Sequence, residues 1–397
     1  MIKTKKKILT VIMTFTCVFS LLANAACNKP SKVEYYPEVE VVETTVDDEN
    51  GGEEVVEEKE EELDEALLPE YISFRETGEF KLNPEILHPS YKEQVKNNPK
   101  VIRAAKKALQ AVYNGEETVT FDEGDEEYQI SELKLAAELA SMSNPMCDVV
   151  YTTEEKNEDG SFNLVYFSKY ELDEFNQRSY DSGISGVEAK ERFDDFEKFV
   201  TEIVNNSGAK QTDSDIEVAR LIYKELIENV TLIYPAEEDG GLQAYFTSSI
   251  PGEETVIKQT TIIDRANARE LELYDVISIY EFILTQLGIK CEIMGANGKY
   301  VAQSNGIDAQ MSTMNNWIWP IVYSDDKAYH CDIIFDKTVL DEQRVNFPDY
   351  ESDLLYFGMS DKTRDESFHP IWSQMLGTVI ASKQLSVPKC EEDYEFK

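Results

Sequence analysis

The sequence predicts an α+β fold, in which helices are followed by a run of antiparallel strands. Apolar residues recur at helical spacing in LYDVISIYEFILTQLG (273–288). Three strand-like stretches follow this helix, at 291–296, 317–324 and 327–336. Helices and strands that are segregated along the chain in this way are typical of α+β proteins.

The chain is long enough for two domains with their own cores, because 42% of its 397 residues are hydrophobic. The turn-forming stretch NNSG (205–208) follows a helical pattern and predicts a boundary there. We therefore place a smaller N-terminal α+β domain at 67–208 and a second domain at 209–397.

The first domain alternates helical and strand patterns. The predicted elements are a helix that begins at Asn98-Pro99 and ends at Asn114-Gly115, a strand at 117–121, a helix at 131–142, a hairpin with strands at 146–152 and 162–168, and a helix at 187–204. In the second domain, Ser214 and Glu217 predict a capping box at the start of a helix. Pro320 lacks an N–H group, which predicts that its strand is an edge strand or bulged.

The turn of the predicted hairpin has side chains that partly fit a calcium loop. Glu155, Asn157 and Asp159 fall at ligand positions of an EF-hand, but Tyr166 occupies the position of the bidentate glutamate. A hairpin turn explains the stretch better. With three histidines and no paired CxxC motif, the sequence predicts no metal site and no cofactor.

The N-terminus has the pattern of an export signal. Four lysines precede an apolar run from Ile8 to Ala23, and small residues follow in ANAAC (23–27). The run is too short for a permanent membrane span, so we expect a signal peptide at 1–26. LLANAAC resembles a bacterial lipoprotein signal, which implies lipidation of Cys27; Asn24 departs from that pattern, and cleavage after Ala25 with ordinary secretion is the alternative.

An acidic segment follows at 27–66, with DDENGGEEVVEEKEEELDE (47–65) as its most charged part. Like charges repel one another and little apolar surface is available, so we expect a disordered tether. The whole chain has a formal charge of -40, which excludes nucleic acid as a partner because phosphates would be repelled. Membrane contact is expected only through the lipid anchor, and the localisation is extracytoplasmic.

The second domain contains, in this order, the stretches IEVARLIYKELIENVTLIYP (216–235), LGIKC (287–291), Trp319 with Val322, AYHCDIIFD (328–336), LLYFGMSD (354–361) and His369. This order of motifs resembles the transglutaminase-like family, which shares the papain-like fold and occurs in many exported bacterial proteins. The resemblance covers residues 214–370 and implies a transglutaminase-like C-terminal domain.

Two of the three catalytic positions that the resemblance implies hold inert residues. The family's nucleophilic cysteine, at the N-terminus of the helix before LGIKC, corresponds to Leu273, and its histidine corresponds to Trp317. The third position, an aspartate, is kept as Asp332. The resemblance therefore implies a degenerate triad, and Trp317, Trp319 and Asp332 become candidates for binding a ligand in the former cleft, with sheet packing as the alternative for the tryptophans.

The stretch YHCD (329–332) places a histidine, a cysteine and an acid side by side. In a strand, successive side chains point to opposite faces, so Cys331 and His330 cannot converge as a catalytic pair. We interpret Cys331 as a core residue or half of a disulfide. Four cysteines outside the signal region allow three pairings; Cys291 with Cys331 is the pair that the resembled fold favours.

Three functions follow from these observations. The first is a non-catalytic binding or scaffold module with an extracellular peptide, protein or glycan as partner. The second is an active thiol peptidase or acyl transferase with relocated groups, such as Cys291 with His330 or His369. The third is a ligand-binding lipoprotein that uses a cleft between the domains.

Overall fold

The structure is a computed structural model that describes residues 65–121, 128–172, 178–233, 257–304, 307–368, 371–377, 379–380 and 383–396. The predicted signal peptide, Cys27 and residues 27–64 of the predicted tether lie outside this part of the chain. Within it, no helix combines the length and the apolar character that crossing a membrane requires.

The described residues form ten α-helices. They are α1 (Ser73–Thr77), α2 (Pro89–Gln94), α3 (Pro99–Asn114), α4 (Ile130–Ser143), α5 (Gly186–Asn206), α6 (Asp215–Asn229), α7 (Ile262–Ala268), α8 (Leu273–Gln286), α9 (Ile333–Asn346) and α10 (Asp361–Phe368). The predictions of α3, α4, α5 and α8 are confirmed, because their apolar residues are buried at helical spacing. Gly115 ends α3 with a positive φ of 68°, as the Asn-Gly signal predicts.

Two five-stranded sheets carry most of the strands. The strands are β1 (Thr118–Val119), β2 (Val150–Lys156), β3 (Phe162–Leu172), β4 (Arg178–Ile184), β5 (Thr231–Leu232), β6 (Ile257–Thr260), β7 (Glu270–Leu271), β8 (Cys291–Ser304), β9 (Ile307–Ser324), β10 (Lys327–Cys331), β11 (Phe357–Met359), β12 (Ile371–Gly377), β13 (Val379–Ile380) and β14 (Lys383–Gln384). Both large sheets are antiparallel, which agrees with the predicted α+β class.

The first sheet is built around β3, which pairs with β1, β2, β4 and β6. The hairpin of β2 and β3 is confirmed, and its turn uses the polar side chains that resemble a calcium loop. The carboxylate of Asp159 accepts hydrogen bonds from the backbone and the hydroxyl of Ser161, and the Asn157 amide donates to the Ser161 hydroxyl. These side chains therefore stabilise the turn itself.

The second sheet has the order β11-β10-β9-β8-β12 and two different faces. Cys291 and Tyr329 both lie opposite Val322, so the three share one face, which packs on the main core. His330 lies opposite Ile321, on the other face. That second face is covered by a small cluster of Met294, Trp319, Ile321, Ala328 and Cys390.

One buried apolar cluster runs from Ala66 to Phe357 through both predicted domains. The boundary predicted near residue 208 falls in the loop between α5 and α6, but β6 of the second segment pairs with β3 of the first. Ala66 is buried in this cluster, so the packed part of the chain begins slightly before the predicted end of the tether.

The segment between residues 72 and 92 packs against the C-terminal end of α8 and the start of β8. The Arg75 guanidinium donates to the Leu287 carbonyl, and the Gln286 amide exchanges two hydrogen bonds with the backbone of Asn83. His88 Nε2 contacts the Cys291 carbonyl at 2.6 Å. These contacts join parts of the sequence about two hundred residues apart.

Three local predictions are wrong. The stretch 327–336 is a strand only as far as Cys331, and it then turns into α9 because the Asp332 carboxylate caps that helix by accepting from the Phe335 N–H. Pro320 lies in the central strand β9, opposite Ile293 of β8. The pairing of β9 with β10 extends only as far as Ile321, so the missing N–H of Pro320 removes no hydrogen bond to β10. Ser214 makes no capping hydrogen bond.

Candidate functional site

The position that the resemblance assigns to a nucleophile is the first residue of α8. Leu273 is buried there, with 7% of its surface exposed, and belongs to the main core. The side chain of Glu272 caps the helix by accepting from the backbone N–H of Asp275, and the Asp275 carboxylate accepts from the Glu272 N–H at 2.9 Å. Two carboxylates therefore satisfy the exposed donors at the start of this helix.

A buried arginine completes this arrangement. Arg265 on α7 donates to both carboxylate oxygens of Asp275, at 2.5 and 2.7 Å, and lies 3.6 Å from Glu272. The third guanidinium nitrogen of Arg265 donates to the Thr260 carbonyl and approaches the Tyr170 hydroxyl. The ion pairs raise the pKa of Arg265 although burial lowers it, so the guanidinium is permanently charged.

These charges decide what the helix terminus can do. A thiol at the start of a helix becomes a reactive thiolate because the positive end of the helix dipole lowers its pKa. Here the carboxylates of Glu272 and Asp275 already occupy that end, with Arg265 beside them. Within the described residues, the start of α8 therefore carries a leucine and two acids, and the acids oppose the formation of a thiolate there.

A cleft next to this site has room for about one water molecule. Its free volume is about 10 Å³, which is the minimum space for one water. The residues that line it are Asp148, Val149, Tyr170, Tyr180, Thr261, Ile262 and Arg265. In this conformation the cleft is too small for a peptide or a sugar ring.

The other two triad positions are Trp317, on β9 of the second sheet, and Asp332, which directly follows β10. The backbone of Trp317 pairs with Ala296, and its side chain lies outside the described residues. Asp332 is buried, its N–H donates to the Tyr356 carbonyl at 2.8 Å, and its carboxylate caps α9. In this conformation the Asp332 carboxylate stabilises the helix, and its contact with a ligand stays a prediction.

The predicted disulfide between Cys291 and Cys331 is not formed. All four cysteines of the described chain, Cys147, Cys291, Cys331 and Cys390, are free and buried. Cys291 is on β8 and Cys331 is on β10, with β9 between them, which places the strands about 9–10 Å apart. A disulfide requires Cα atoms within about 7 Å, so this pair cannot bond without a rearrangement.

The same four thiols are poor nucleophiles because burial disfavours the thiolate. Burial raises the pKa of Cys147 and of Cys390 to about 12, and it raises the pKa of Cys291 and Cys331 well above the ordinary value. The relocated pair of Cys291 and His330 is also not formed, because their side chains lie on opposite faces of the sheet. His369, the other candidate partner, lies outside the described residues.

His330 belongs to a buried polar network that the sequence did not reveal. The indole N–H of Trp319 donates to His330 Nδ1 at 2.9 Å, and His330 Nε2 donates to the Asp361 carboxylate at 2.8 Å. A guanidinium nitrogen of Arg364 lies 3.1 Å from Nε2. Trp319 is buried in this network, which agrees with the packing alternative, and its contact with a ligand stays a prediction.

His330, Asp361 and Cys390 also place metal-type donor atoms within 4.8 Å of one another. A neutral imidazole that binds a metal through Nε2 carries its proton on Nδ1. Nδ1 must accept from Trp319 here, because an indole can only donate. The positive guanidinium of Arg364 also opposes a cation at Nε2. This cluster does not fit a metal site.

Comparisons with known proteins add little to this picture. No protein-family model matches the chain, and no curated protein matches it. The crystal structure of a candidate protease from Parabacteroides distasonis is similar to part of the chain, with 10% sequence identity and a TM-score of 0.20. The similarity covers 46% of this chain and 35% of that one, about a third of its length. A likeness at this level supports neither a fold nor a function.

Proposed function

We propose that this chain is an exported, lipid-anchored, transglutaminase-like protein that has lost catalysis and binds an extracellular peptide, protein or glycan. The observation that supports the loss of catalysis is the start of α8, where Leu273 is buried between the capping carboxylates of Glu272 and Asp275. A thiol enzyme of this family needs a nucleophile at that point.

The transglutaminase-like assignment itself depends on the order of elements. The long helix α8 is followed by the antiparallel strands β8, β9 and β10, which is the succession that the motifs imply. The three degenerate positions fall at the start of α8, on β9 and at the end of β10. Fold alone does not fix function, so the argument against catalysis comes from the site.

No described cysteine offers a replacement nucleophile. Each of the four is buried, and burial raises the pKa of each. A thiol with a pKa near 12 has about one part in ten thousand or less of thiolate at pH 8, since each unit of pKa is a factor of ten. An acyl transfer through such a group would be slow.

The catalytic part of the proposal is tested on the unaltered protein with amine donors, glutaminyl peptides and an electrophilic thiol probe. We expect no turnover and no labelling of folded protein, with full labelling after denaturation as the control. Turnover that disappears when Cys291 or Cys331 is changed to Ala would overturn the proposal in favour of a thiol enzyme.

A matched pair of variants tests the electrostatic argument. Leu273→Cys should gain a thiol that reacts no faster than an exposed model thiol, because Glu272 and Asp275 occupy the positive end of α8. Leu273→Ser has the same size without the thiol and controls for the cavity. Labelling of Leu273→Cys far above the rate of free cysteine would show that the helix terminus still activates a thiol.

The binding part of the proposal is tested separately. Thermal-shift measurements with panels of peptides and glycans should give a rise in melting temperature for at least one class, since a ligand that binds only the folded state stabilises it. If neither panel shifts the melting temperature and no envelope protein cross-links to the anchored chain, the binding proposal is wrong and a structural role remains.

A further inference from the structure

The network around His330 fixes which nitrogen carries a proton. Trp319 can only donate, so Nδ1 of His330 must offer a lone pair, and the proton of the neutral ring must be on Nε2, where it points to Asp361. A second proton can enter the ring only at Nδ1. It would face the indole N–H at 2.9 Å and break that hydrogen bond.

The surroundings of the ring contain charges of both signs. Asp361 and Asp365 on α10 favour the imidazolium, while Arg364 on the same helix opposes it. Trp319 on β9 and Cys390 near the C-terminus complete the shell, and the ring has no exposed surface. Burial is the largest effect, and the net result is a lowered pKa for His330.

The C-terminal tail, residues 385–396, lies over this network. The Asp361 N–H donates to the Cys390 carbonyl, and the side chain of Cys390 packs with Trp319 on the second face of the sheet. Further along the tail, the Asp393 carboxylate accepts from the Ser360 N–H. The tail therefore covers His330 and is held there by the start of α10. Its end has separate contacts, because the Tyr394 N–H donates to the Gly358 carbonyl and Glu392 pairs with Lys327.

We propose that His330 is an acid-sensitive latch: protonation of Nδ1 separates the ring from Trp319, loosens the packing of Cys390 and lets the part of the tail around Cys390 lift from the second face, while the contacts of Tyr394 hold the end of the tail. The covered face contains Met294, Trp319, Ile321 and Ala328, so lifting of this part of the tail exposes an apolar surface. This inference is independent of the proposed binding function.

The direction of the pH effect follows from the shift. A histidine whose pKa is lowered by folding leaves the folded arrangement at its full stability above the unfolded pKa of about 6.5, and this stability falls as the pH drops from that value to the lower folded pKa. The latch is therefore closed at neutral pH and opens in mildly acid solution.

Cysteine accessibility in the full-length chain reports the latch. The folded protein is treated with dithiodipyridine between about pH 7.5 and about pH 5, and each cysteine is followed by peptide mass spectrometry. The labelling rate of Cys390 is divided by that of an exposed model thiol at the same pH, because the reactive thiolate itself becomes scarcer as the pH falls. We expect this relative rate to rise by up to roughly tenfold for each pH unit below the ordinary histidine range, since each unit multiplies the protonated fraction by ten. Cys147, buried in the main core, reports global unfolding and should stay unlabelled.

Two variants link the effect to the ring. The glutamine side chain of His330→Gln does not titrate, but its amide can accept from Trp319 and donate to Asp361. The relative labelling rate of Cys390 in this variant should therefore not depend on pH. Trp319→Phe removes the donor that opposes a proton on Nδ1, so the labelling midpoint should move to higher pH.

The possible results separate cleanly. Parallel labelling of Cys147 and Cys390 would mean global acid unfolding, and an unchanged pH profile in His330→Gln would mean that another group titrates; either result refutes the latch. The substitution His330→Gln could itself disturb the packing of Cys390, so that Cys390 is labelled at every pH. In that case the pH midpoint of Cys390 labelling in Trp319→Phe is the deciding measurement. A midpoint at or below that of the wild type refutes the latch.

Discussion

Asp336 gives a quantitative prediction, because it is a buried carboxylate that destabilises the fold when it is charged. It lies on α9, where one of its oxygens accepts from the Tyr223 hydroxyl at 2.6 Å and from the Tyr356 N–H at 3.1 Å. These hydrogen bonds favour the charged form, but burial opposes it more strongly and raises the pKa of Asp336 to about 6.

The size and sign of the effect follow from this shift. The pKa rises from 3.8 to about 6, roughly two units, which corresponds to about 3 kcal/mol. Between these values the folded state holds a proton that the unfolded chain has lost, so the free energy of unfolding falls as the pH rises. The penalty is complete above about pH 6 and absent below about pH 4.

Asp336→Asn removes the charge and keeps the shape of the side chain. Weaker hydrogen bonds to the amide cost about 1 kcal/mol, so we expect the variant to be about 1–2 kcal/mol more stable than the wild type at pH 7.5 and no more stable at about pH 4. Urea unfolding at the two pH values measures the difference. Asp349→Asn, an exposed acid on the loop after α9, is the control and should change little.

The outcome that refutes this reasoning is clear. If Asp336→Asn is less stable than the wild type at pH 7.5 and has the same pH dependence, then the charged carboxylate is net stabilising and its hydrogen bonds outweigh its burial. The pKa of Asp336 would then not be raised above its ordinary value.

Three further predictions concern the anchor, the tether and α9. Full-length protein should partition into detergent, and Cys27→Ala should release it to the medium; an unmodified N-terminus at Ala26 in mass spectrometry would show ordinary secretion instead. Deletion of residues 28–64 should leave the melting temperature nearly unchanged, because this acidic segment cannot form a core, and a large decrease would show that it packs on the fold. Asp332→Ala should cost about 1 kcal/mol in urea unfolding through the lost cap of α9 and should change no activity, whereas a neutral effect would show that the cap contributes little.

The helices and the faces of the strands could be predicted from the sequence, because local patterns of apolar residues determine them. The helices α3, α4 and α5 have apolar stripes that are also their buried faces, and the Asn114-Gly115 signal ends α3 as expected. The apolar residues of α8 are buried as well, but this helix is buried on almost all sides. The parity of a strand also placed His330 and Cys331 on opposite faces, because this depends only on the alternation of side chains.

Other parts of the structure depend on a single side chain or on contacts between distant residues, and local patterns do not predict them. The apolar run after Cys331 fits a strand or a helix equally well, and the cap by Asp332 selects the helix. The network of Trp319, His330 and Asp361 joins three elements through contacts that no local pattern contains. Trp319 and His330 lie on the same face of neighbouring strands, and this could have predicted their contact. The prediction would have required the pairing register of the two strands, which the sequence does not contain.

The docking of residues 72–92 onto α8 has a mechanical consequence. Arg75, Asn83 and His88 bond to groups near residues 286–291, on the far side of the sequence from the N-terminus. A pull applied at residue 65, where the described residues begin, is therefore transmitted at once to α8 and β8. The first helices cannot peel away turn by turn; they must break several contacts with α8 and β8 together, so the load is carried by the central core.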